Sequence, residues 1–290
     1  MPPRAPAPPG RQAEEEQAEH DRYFQVARST GGPADGFTAG LASAQLVAYE
    51  NCLDMGVTLL AEPEWNLLFG GLQALLRVAG EEPEAAGRPS GCAPALPSAT
   101  GWLAGYDPGR RWLVGHQLFF ALIQGVIVGM NCFAGAMLAG DTAEADEGLK
   151  LATAFMRSSA AAMKLTSDFA PDDYERTVRP AMAPPEVRAG FSGLQTRDHS
   201  YLVRLFGTLK PIFTTPGYPS GAHRDFIESV VSAYAAHEFI CLRFRGDVLP
   251  SLRMAAASRG KTQRPGTAVI REMMRSRLAL VDPAGDLARP

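Results

Sequence analysis

A run of 29 residues without Asp, Glu, Lys or Arg, from Trp112 to Gly140, constrains the fold of this chain more than any other feature. The run is long enough to cross a lipid bilayer as a helix. It also carries Gln117, Gln124 and Asn131, one every seven residues, and a lipid-facing helix would have to hide such a polar stripe. The run therefore predicts a fully buried helix in the core of a globular protein, with a membrane span as the alternative.

The rest of the chain also shows helical periodicity. Apolar residues recur at steps of three and four, and no segment alternates with period two. We therefore predict an all-α fold, a single-domain helical bundle over residues 21–290. Residues 1–20, rich in Pro, Ala and Glu, predict a disordered tail, and the Gly- and Pro-rich stretch 80–107 predicts a long loop or lid. The predicted helices cover residues 37–62, 64–79, 110–139, 143–167, 171–179, 199–209, 221–245 and 265–280.

Helix caps and two of the five histidines carry local predictions. Asp141 or Thr142 is the expected cap of the helix at 143, and Asp198 is the expected cap of the helix at 199. His20 lies in an acidic stretch and should be solvated. His223 lies at a predicted helix start and should have a structural role.

Composition excludes several classes of function. Hydrophobic residues make up 46% and charged residues 20% of the chain, which is typical of a globular protein. The net charge of −3, without a basic cluster, argues against a nucleic-acid partner. The cysteines form neither a disulfide framework nor a CxxC zinc pattern, and the N-terminus lacks the apolar region of a secretory signal. We therefore expect a cytoplasmic protein that does not act at a membrane.

The helix predicted at 221–245 carries one apolar stripe that contains a phenol, an imidazole and a thiol. A haem pocket needs a dry wall with one basic nitrogen, and a thiol at i+4 from that nitrogen can reach the porphyrin rim. The alternative is a core histidine bonded to a backbone carbonyl, beside an inert buried cysteine. The stripe consists of Ile227, Val230, Tyr234, His237 and Cys241, at steps of three and four.

Two further histidines are candidates for the same site. His199 lies 38 positions before His237 at a predicted helix start, where a carboxylate or carbonyl could fix its tautomer for metal ligation. Otherwise it is an exposed first-turn residue. His116 lies in the charge-free helix, where burial should lower the pKa of its imidazole and keep it neutral. A neutral imidazole can act as a general base, and the alternative is a satisfied core histidine.

These patterns resemble the haem-dependent aromatic oxygenases. Residues 116–120, His-Gln-Leu-Phe-Phe, resemble the His-Gln-x-Tyr-Glu helix of tryptophan 2,3-dioxygenases. His237 with Arg243 and Gly246 is similar to the proximal-ligand segment of those enzymes, which a Gly/Thr-rich substrate loop follows. The order His199…His237-xxx-Cys241 resembles one branch of that superfamily more closely, the haem-dependent tyrosine and 3-methyl-tyrosine hydroxylases of natural-product pathways. The Phe-Phe pair in place of Tyr-Glu argues against tryptophan ring cleavage.

The resemblance implies a tryptophan-dioxygenase-like bundle that encloses a haem. The implied reaction is ortho-hydroxylation of the phenol of L-tyrosine or 3-methyl-L-tyrosine in antibiotic biosynthesis, with hydrogen peroxide or dioxygen as oxidant. His237 and His199 would be the iron ligands, and Cys241 would anchor the porphyrin covalently. His116 would act as base or hydrogen-bond partner on the open side of the haem.

The resemblance also places a substrate site after the proximal segment. Arg243, Arg253 or Thr267 would hold the carboxylate of the amino acid, since Arg binds carboxylates bidentately. The alternative is a solvated charged loop. Other functions remain open from the residues alone: an indole or tryptophan oxygenase on the same scaffold, a non-catalytic haem sensor or carrier, and a helical interaction protein without haem. A homodimer is plausible on base rates alone.

Overall fold

Every regular element of the described chain is helical, which confirms the all-α prediction. The computed structural model describes residues 11–28, 35–55, 58–80, 107–189, 191, 196–214, 220–244, 246–247, 264–283 and 285. The longer helices are α1 (Arg11–Tyr23), α2 (Asp35–Met55), α3 (Glu62–Gly80), α4 (Pro108–Ala139), α5 (Thr142–Leu165), α7 (Arg197–Leu209), α8 (Gly221–Arg243) and α9 (Gly266–Val281). Between α5 and α7, the segment α6 joins α-helix (Pro171–Asp173), a π-helical turn (Tyr174–Val178) and α-helix (Arg179–Ala181).

The charge-free run forms the central helix, α4. The carboxylate of Asp107 caps the helix by accepting a hydrogen bond from the backbone N–H of Arg110, and Pro108 occupies the first turn. Gly140 ends α4 with a left-handed φ of 79°, a conformation that favours glycine. By length and composition α4 could cross a membrane, but 67% of its most apolar window is buried inside the structure. The prediction of a core helix is therefore confirmed, although α4 is mostly rather than fully buried.

The polar stripe on α4 attaches other segments to this helix. The side-chain amide of Gln117 donates to the backbone carbonyl of Phe24 over 2.9 Å. The amide of Gln124 donates to the carboxylate of Asp198, 74 positions later in the chain. Asn131 is exposed. The glutamines thus hold the N-terminal segment and the start of α7 against the core helix.

Glycines allow α4 and α5 to pack with their backbones in contact. A Cβ at Gly129 would lie 2.6 Å from the backbone nitrogen of Ala152, and a Cβ at Gly148 would lie 2.5 Å from that of Phe133. Neither atom can move away cheaply, because both belong to helical backbone. α5 also packs against α8, so α4, α5 and α8 form the centre of the bundle. The buried apolar side chains of the described helices belong to one cluster.

The last two described helices, α8 and α9, run antiparallel. Arg271 near the start of α9 pairs with Glu238 near the end of α8. Val281 at the end of α9 accepts a hydrogen bond from His223 at the start of α8. This arrangement brings the middle of α9 against the middle of α8.

Residues 11–20 are not a disordered tail, which corrects the prediction for that part of the N-terminus. They form most of α1, and His20 is 2% exposed, with its ring stacked on Phe191 at 4.2 Å between centroids. The carboxylate of Glu19 accepts hydrogen bonds from the backbone and side chain of Arg188. The composition of the segment misled because its partners lie about 170 positions later in the chain. Residues 1–10 lie outside the described residues.

Two predicted boundaries also need correction. Thr196 rather than Asp198 caps α7, since the Thr196 hydroxyl accepts from the backbone N–H of His199. The helix predicted at 37–62 ends at Met55. Asp141 caps α5 as predicted. Most of the predicted loop at 80–107 lies outside the described residues, and a single domain over 21–290 stays a prediction.

Candidate active site

A pocket lies where α4, α5, α7, α8 and α9 converge. It holds about 500 Å³ of space not filled by atoms, part of which opens to solvent. Small-molecule sites are mostly apolar with a few polar groups. Most of the lining residues are apolar, and the polar ones are Ser159, His199, Tyr234, His237 and Arg277. The pocket thus brings together the two histidines that the sequence singled out as ligands.

His237 has a ring without a hydrogen-bond partner in the described part of the chain. It lies on α8, is partly buried and lines the pocket. Burial, with a smaller contribution from the neighbouring imidazoles of His199 and His116, lowers the pKa of His237 to about 4. The ring is therefore neutral at pH 7, with a nitrogen lone pair available to a ligand.

Three of the other histidines are core histidines bonded to a backbone carbonyl, which was the alternative for His237. In each of them a ring nitrogen lies 2.7 Å from a backbone carbonyl oxygen, which gives the ring one hydrogen-bond partner inside the protein. His237 differs from these three because no carbonyl of a described residue bonds its ring. The three pairs are His20 with Glu16, His116 with Trp112, and His223 with Val281.

His199 lies in the first turn of α7, on the side of the helix that faces the pocket. The preceding residue, Asp198, is 6% exposed and accepts two hydrogen bonds from Arg28, at 2.8 and 2.7 Å. Gln124 donates to the same carboxylate. The start of α7 is therefore held by a charge pair to the N-terminal segment and by an amide on α4, and this fixes the backbone that carries His199.

His116 is enclosed by aromatic rings and is not among the residues that line the pocket. Its ring centroid lies 4.6 Å from that of Phe24 and 4.3 Å from that of Trp112. Because the carbonyl of Trp112 can only accept, Nδ1 carries the hydrogen and Nε2 carries the lone pair. Burial lowers the pKa of His116 to about 4. The predicted neutral imidazole is thus consistent with its surroundings, although its role stays a prediction.

Cys241 lies one helical turn beyond His237 and is partly buried. Burial raises the pKa of its thiol to about 11, and the charge of Glu238 raises that pKa further, so the group is protonated at pH 7. Tyr174, the first residue of the π-helical turn, interacts electrostatically with this thiol, and burial raises the pKa of Tyr174 to about 12. π-Helical turns often occur at functional sites.

Comparison with known proteins identifies the family. A model of the family described as SfmD 3-methyl-L-tyrosine peroxygenase matches residues 2–225, more than half of this chain. The chain belongs to this peroxygenase family. The matched range ends before His237 and Cys241, so the placement of those two residues rests on the geometry described above.

A relative and a solved structure agree with this assignment. The 3-methyl-L-tyrosine peroxygenase of Streptomyces lavendulae is 29% identical over 265 residues, which cover 90% of this chain and 70% of that protein. A crystal structure of reduced SfmD, soaked with sodium hydrosulfite, is similar with a TM-score of 0.57 and 26% identity, and covers 82% of this chain and 76% of that chain. SfmD peroxygenases are haem-dependent oxidoreductases, so the predicted family, enzyme class and bundle type are confirmed.

The residues around the pocket fit the haem of this family. In the described residues no group of three or more His, Cys, Asp or Glu side chains could hold a bare metal ion. Iron in a porphyrin needs only one or two nitrogens from the protein, because the macrocycle supplies the others. Two imidazoles in a mostly apolar pocket, one of them neutral and without a hydrogen bond to any described residue, could provide such nitrogens.

The predicted substrate residues lie beside the end of α8. The guanidinium of Arg243 donates to the backbone carbonyls of Ser167 (3.0 Å) and Phe169 (2.6 Å), which ties α8 to the segment after α5. Thr267 is 7% exposed, and its backbone N–H donates to the carbonyl of Gly246. Arg253 lies outside the described residues. The role of these residues in substrate binding stays a prediction.

Two features near the pocket were missed by reasoning from the sequence. Arg277 lines the pocket although it lies on the last helix, for which the sequence suggested no function. The pair between Arg28 and Asp198 joins residues 170 positions apart. No spacing rule signals either feature, because each depends on how distant helices dock. Only the position of Asp198 next to a candidate ligand offered a clue.

Proposed function

We propose that this chain is a haem-dependent peroxygenase that adds a hydroxyl group ortho to the phenol of L-tyrosine or 3-methyl-L-tyrosine. The observation that carries the proposal is His237, a neutral imidazole that shares one pocket with His199 and has no hydrogen-bond partner among the described residues. Membership of the 3-methyl-L-tyrosine peroxygenase family supports the reaction class and favours hydrogen peroxide over dioxygen.

His237 and His199 are the proposed iron ligands. Both line the pocket, on different helices, and each offers a ring nitrogen to a ligand between α7 and α8. The low pKa of His237 means that no proton has to be removed before ligation at neutral pH. When bound, the haem would supply the redox chemistry by which peroxide oxidises an aromatic ring. The apolar walls exclude water from that reaction.

Cys241 is the proposed covalent anchor of the haem. A thiol forms a thioether by adding across a vinyl group: the sulfur bonds to one carbon, the proton goes to the other, and no external oxidant is needed. The position of Cys241 at i+4 from His237 places sulfur and imidazole on one face of α8. The protonated state of the thiol agrees with such an addition and argues against a thiolate ligand to iron.

His116 is proposed to act through the lone pair on Nε2. A base whose pKa is about 4 is poorly matched to a phenol, which has a pKa near 10 in water. We therefore favour a role as hydrogen-bond acceptor that orients the substrate hydroxyl over a role as a base that fully ionises it. The stacking on Phe24 and the tilted contact with Trp112 keep the ring in one orientation for this purpose.

We propose that Arg253 or Thr267, rather than Arg243, binds the carboxylate of the substrate. Two N–H groups of Arg243 already donate to backbone carbonyls, and moving them would detach the end of α8 from the segment after α5. We further propose a cytoplasmic location, because α4 is a core helix of the fold, and a homodimer remains the default expectation for assembly.

The test is to express the chain with ample haem and to record its absorption spectrum and its mass under denaturing conditions. We expect a Soret band, and a mass raised by one haem that returns to that of the polypeptide in Cys241→Ala. Cys132→Ala is the matched control, because Cys132 is an exposed cysteine. Colourless protein would overturn the proposal.

The reaction is tested by incubating the haem protein with tyrosine, 3-methyl-tyrosine or tryptophan, each with peroxide or with dioxygen and a reductant. We expect a catechol, one oxygen atom heavier than the substrate, from the phenols with peroxide. Oxidation of tryptophan alone would instead indicate an indole oxygenase. Haem without any product would indicate a sensor or carrier.

A further inference from the structure

Arg277 is the only lining residue of the pocket, among those described, that carries a permanent positive charge. Its Nε is buried and has no hydrogen-bond partner in the described structure. No carboxylate of a described residue pairs with it, whereas two other arginines at this end of the chain are paired, Arg271 with Glu238 and Arg264 with Glu272. A buried donor on a cation costs free energy unless an acceptor is provided.

Tyr234 lies beside Arg277 and lines the same pocket. Burial raises the pKa of Tyr234, and the guanidinium of Arg277 offsets part of that increase, which indicates that the two polar groups are close. The hydroxyl of Tyr234 and the N–H groups of Arg277 are all donors to an anion. Together they form a polar corner in a pocket that is otherwise mostly apolar.

This corner lies away from Cys241 along α8. Tyr234 precedes His237 by one turn, and Cys241 follows it by one turn, so about 10 Å of helix separates the phenol from the thiol. Because α9 runs antiparallel to α8, Arg277 contacts the Tyr234 side and not the Cys241 side. The thiol, the imidazole and the phenol therefore follow one another along α8, and the guanidinium lies at the phenol end.

We propose that Arg277 and Tyr234 form a carboxylate-binding site in this pocket. A guanidinium binds a carboxylate through paired, charge-assisted hydrogen bonds, which would satisfy the orphaned Nε. The inference rests on the proposed function, which brings two kinds of carboxylate to the pocket: the propionates of the haem and the α-carboxylate of the amino acid. The propionates lie at the porphyrin edge away from the vinyl groups, and a vinyl group at Cys241 would therefore direct them toward Arg277.

The experiment compares carboxylate ligands with neutral counterparts in Arg277→Gln. Apoprotein is titrated with haem and with haem dimethyl ester, followed by the Soret band. Haem-loaded protein is titrated with L-tyrosine and with tyramine, followed by the spectral shift. We expect affinity for one of the two acids to fall about 10- to 100-fold, the effect of losing one charge-assisted pair, and affinity for its neutral counterpart to stay unchanged.

The two arms distinguish the source of the carboxylate. A selective loss of haem affinity identifies a propionate, and a selective loss of tyrosine affinity identifies the substrate. Arg275→Gln is the matched control, because Arg275 is exposed on the same helix and its Nε donates to a backbone carbonyl. Equal behaviour of Arg277→Gln and Arg275→Gln, or an equal loss for acid and neutral ligand, would overturn the inference.

Two further measurements keep the result interpretable. If Arg277→Gln does not fold, Arg277→Lys replaces it. Lysine retains the charge but not the planar fork, so affinity for the acid should fall, by less than the roughly 10- to 100-fold expected for Arg277→Gln. An unchanged affinity would count against bidentate binding. Failure of the wild-type protein to bind haem at all would overturn the proposed function. Wild-type protein that binds haem but shows no preference for either acid would overturn the carboxylate site alone.

Discussion

Two polar regions inside this molecule each contain an arginine and differ in whether their polar groups have hydrogen-bond partners. Around Arg111, which is 1% exposed, every partner belongs to the chain: its guanidinium bonds the side chain and carbonyl of Asn51 and the carboxylate of Asp168. Asp168 also accepts from the hydroxyl of Thr58 and the backbone N–H of Leu59. In the pocket, neither the ring of His237 nor the Nε of Arg277 has a hydrogen-bond partner among the residues that the structure describes.

The difference separates a structural cluster from a binding site. A buried charge is tolerated when its hydrogen bonds are complete, and the complete set around Arg111 joins α2, α4 and the segment after α5. Polar groups that face empty space without partners have a cost that a ligand can remove. Arg111 is almost fully buried and His237 is partly buried, and the clearer distinction between them is that the partners of Arg111 are complete.

The largest effect should come from His237→Ala, which removes the proposed ligand. Loss of a residue that hydrogen-bonds a metal ligand typically weakens metal binding roughly 10- to 100-fold. Loss of the ligand itself should weaken haem binding by more than this, so that the Soret band disappears from purified protein. His20→Asn is the control, since the ring of His20 is satisfied by the carbonyl of Glu16. A normal Soret band in His237→Ala would remove the contrast between the two regions.

Arg111→Met should cause the largest loss of folding stability. It leaves the carboxylate of Asp168 buried without its charge partner, which costs about 3–5 kcal/mol of unfolding free energy, measured by urea denaturation. Arg176→Met breaks the exposed pair with Asp173 and should cost no more than about 1 kcal/mol. The haem spectrum of the folded protein should be unchanged in both variants. Equal stabilities would show that the Arg111 cluster is not structural.

The pH dependence of the stability of the apoprotein tests the contribution of a buried histidine. The pKa of His116 falls from 6.5 in the unfolded chain to about 4 in the fold, so the unfolded chain binds more protons between these values. Stability should be complete above about pH 6.5 and should fall as pH decreases toward about 4, by up to roughly 3 kcal/mol for this ring. Urea denaturation of His116→Gln should show a shallower decrease over the same range. An identical decrease would exclude His116 as a contributor.

Asp198→Asn should produce the smallest effect. The pair with Arg28 is partly exposed, with side-chain exposures of 26% for Arg28 and 8% for Asp198, so its loss should cost about 1–2 kcal/mol. We also expect a shifted Soret band, because the start of α7 carries His199. Glu147→Gln, which breaks the exposed pair with Lys150, should change neither stability nor spectrum. A spectrum identical to that of wild type would show that this pair does not position His199.

Reasoning from sequence was accurate where a pattern is local. The charge-free run predicted α4 because a polar residue every seventh position describes one face of a single helix. The stripe from Ile227 to Cys241 was predicted for the same reason, and its residues lie on one helix, α8. The family itself was confirmed by a match that covers residues 2–225, whereas the roles of His199, His237 and Cys241 stay predictions. Local reasoning failed at α1 and at the cap of α7, where contacts with distant residues decide the structure.

The sequence by itself determined the helical class, the central buried helix and the face of α8 that carries imidazole and thiol, because these follow from the period of one helix. Only the tertiary structure decided which polar groups are satisfied and which face a pocket. The carbonyl of Val281 that bonds His223, and the pocket in which His237 and the Nε of Arg277 have no hydrogen-bond partner among the described residues, arise from helix docking. Docking depends on the packing of residues far apart in the chain, and no single stretch of sequence contains that information.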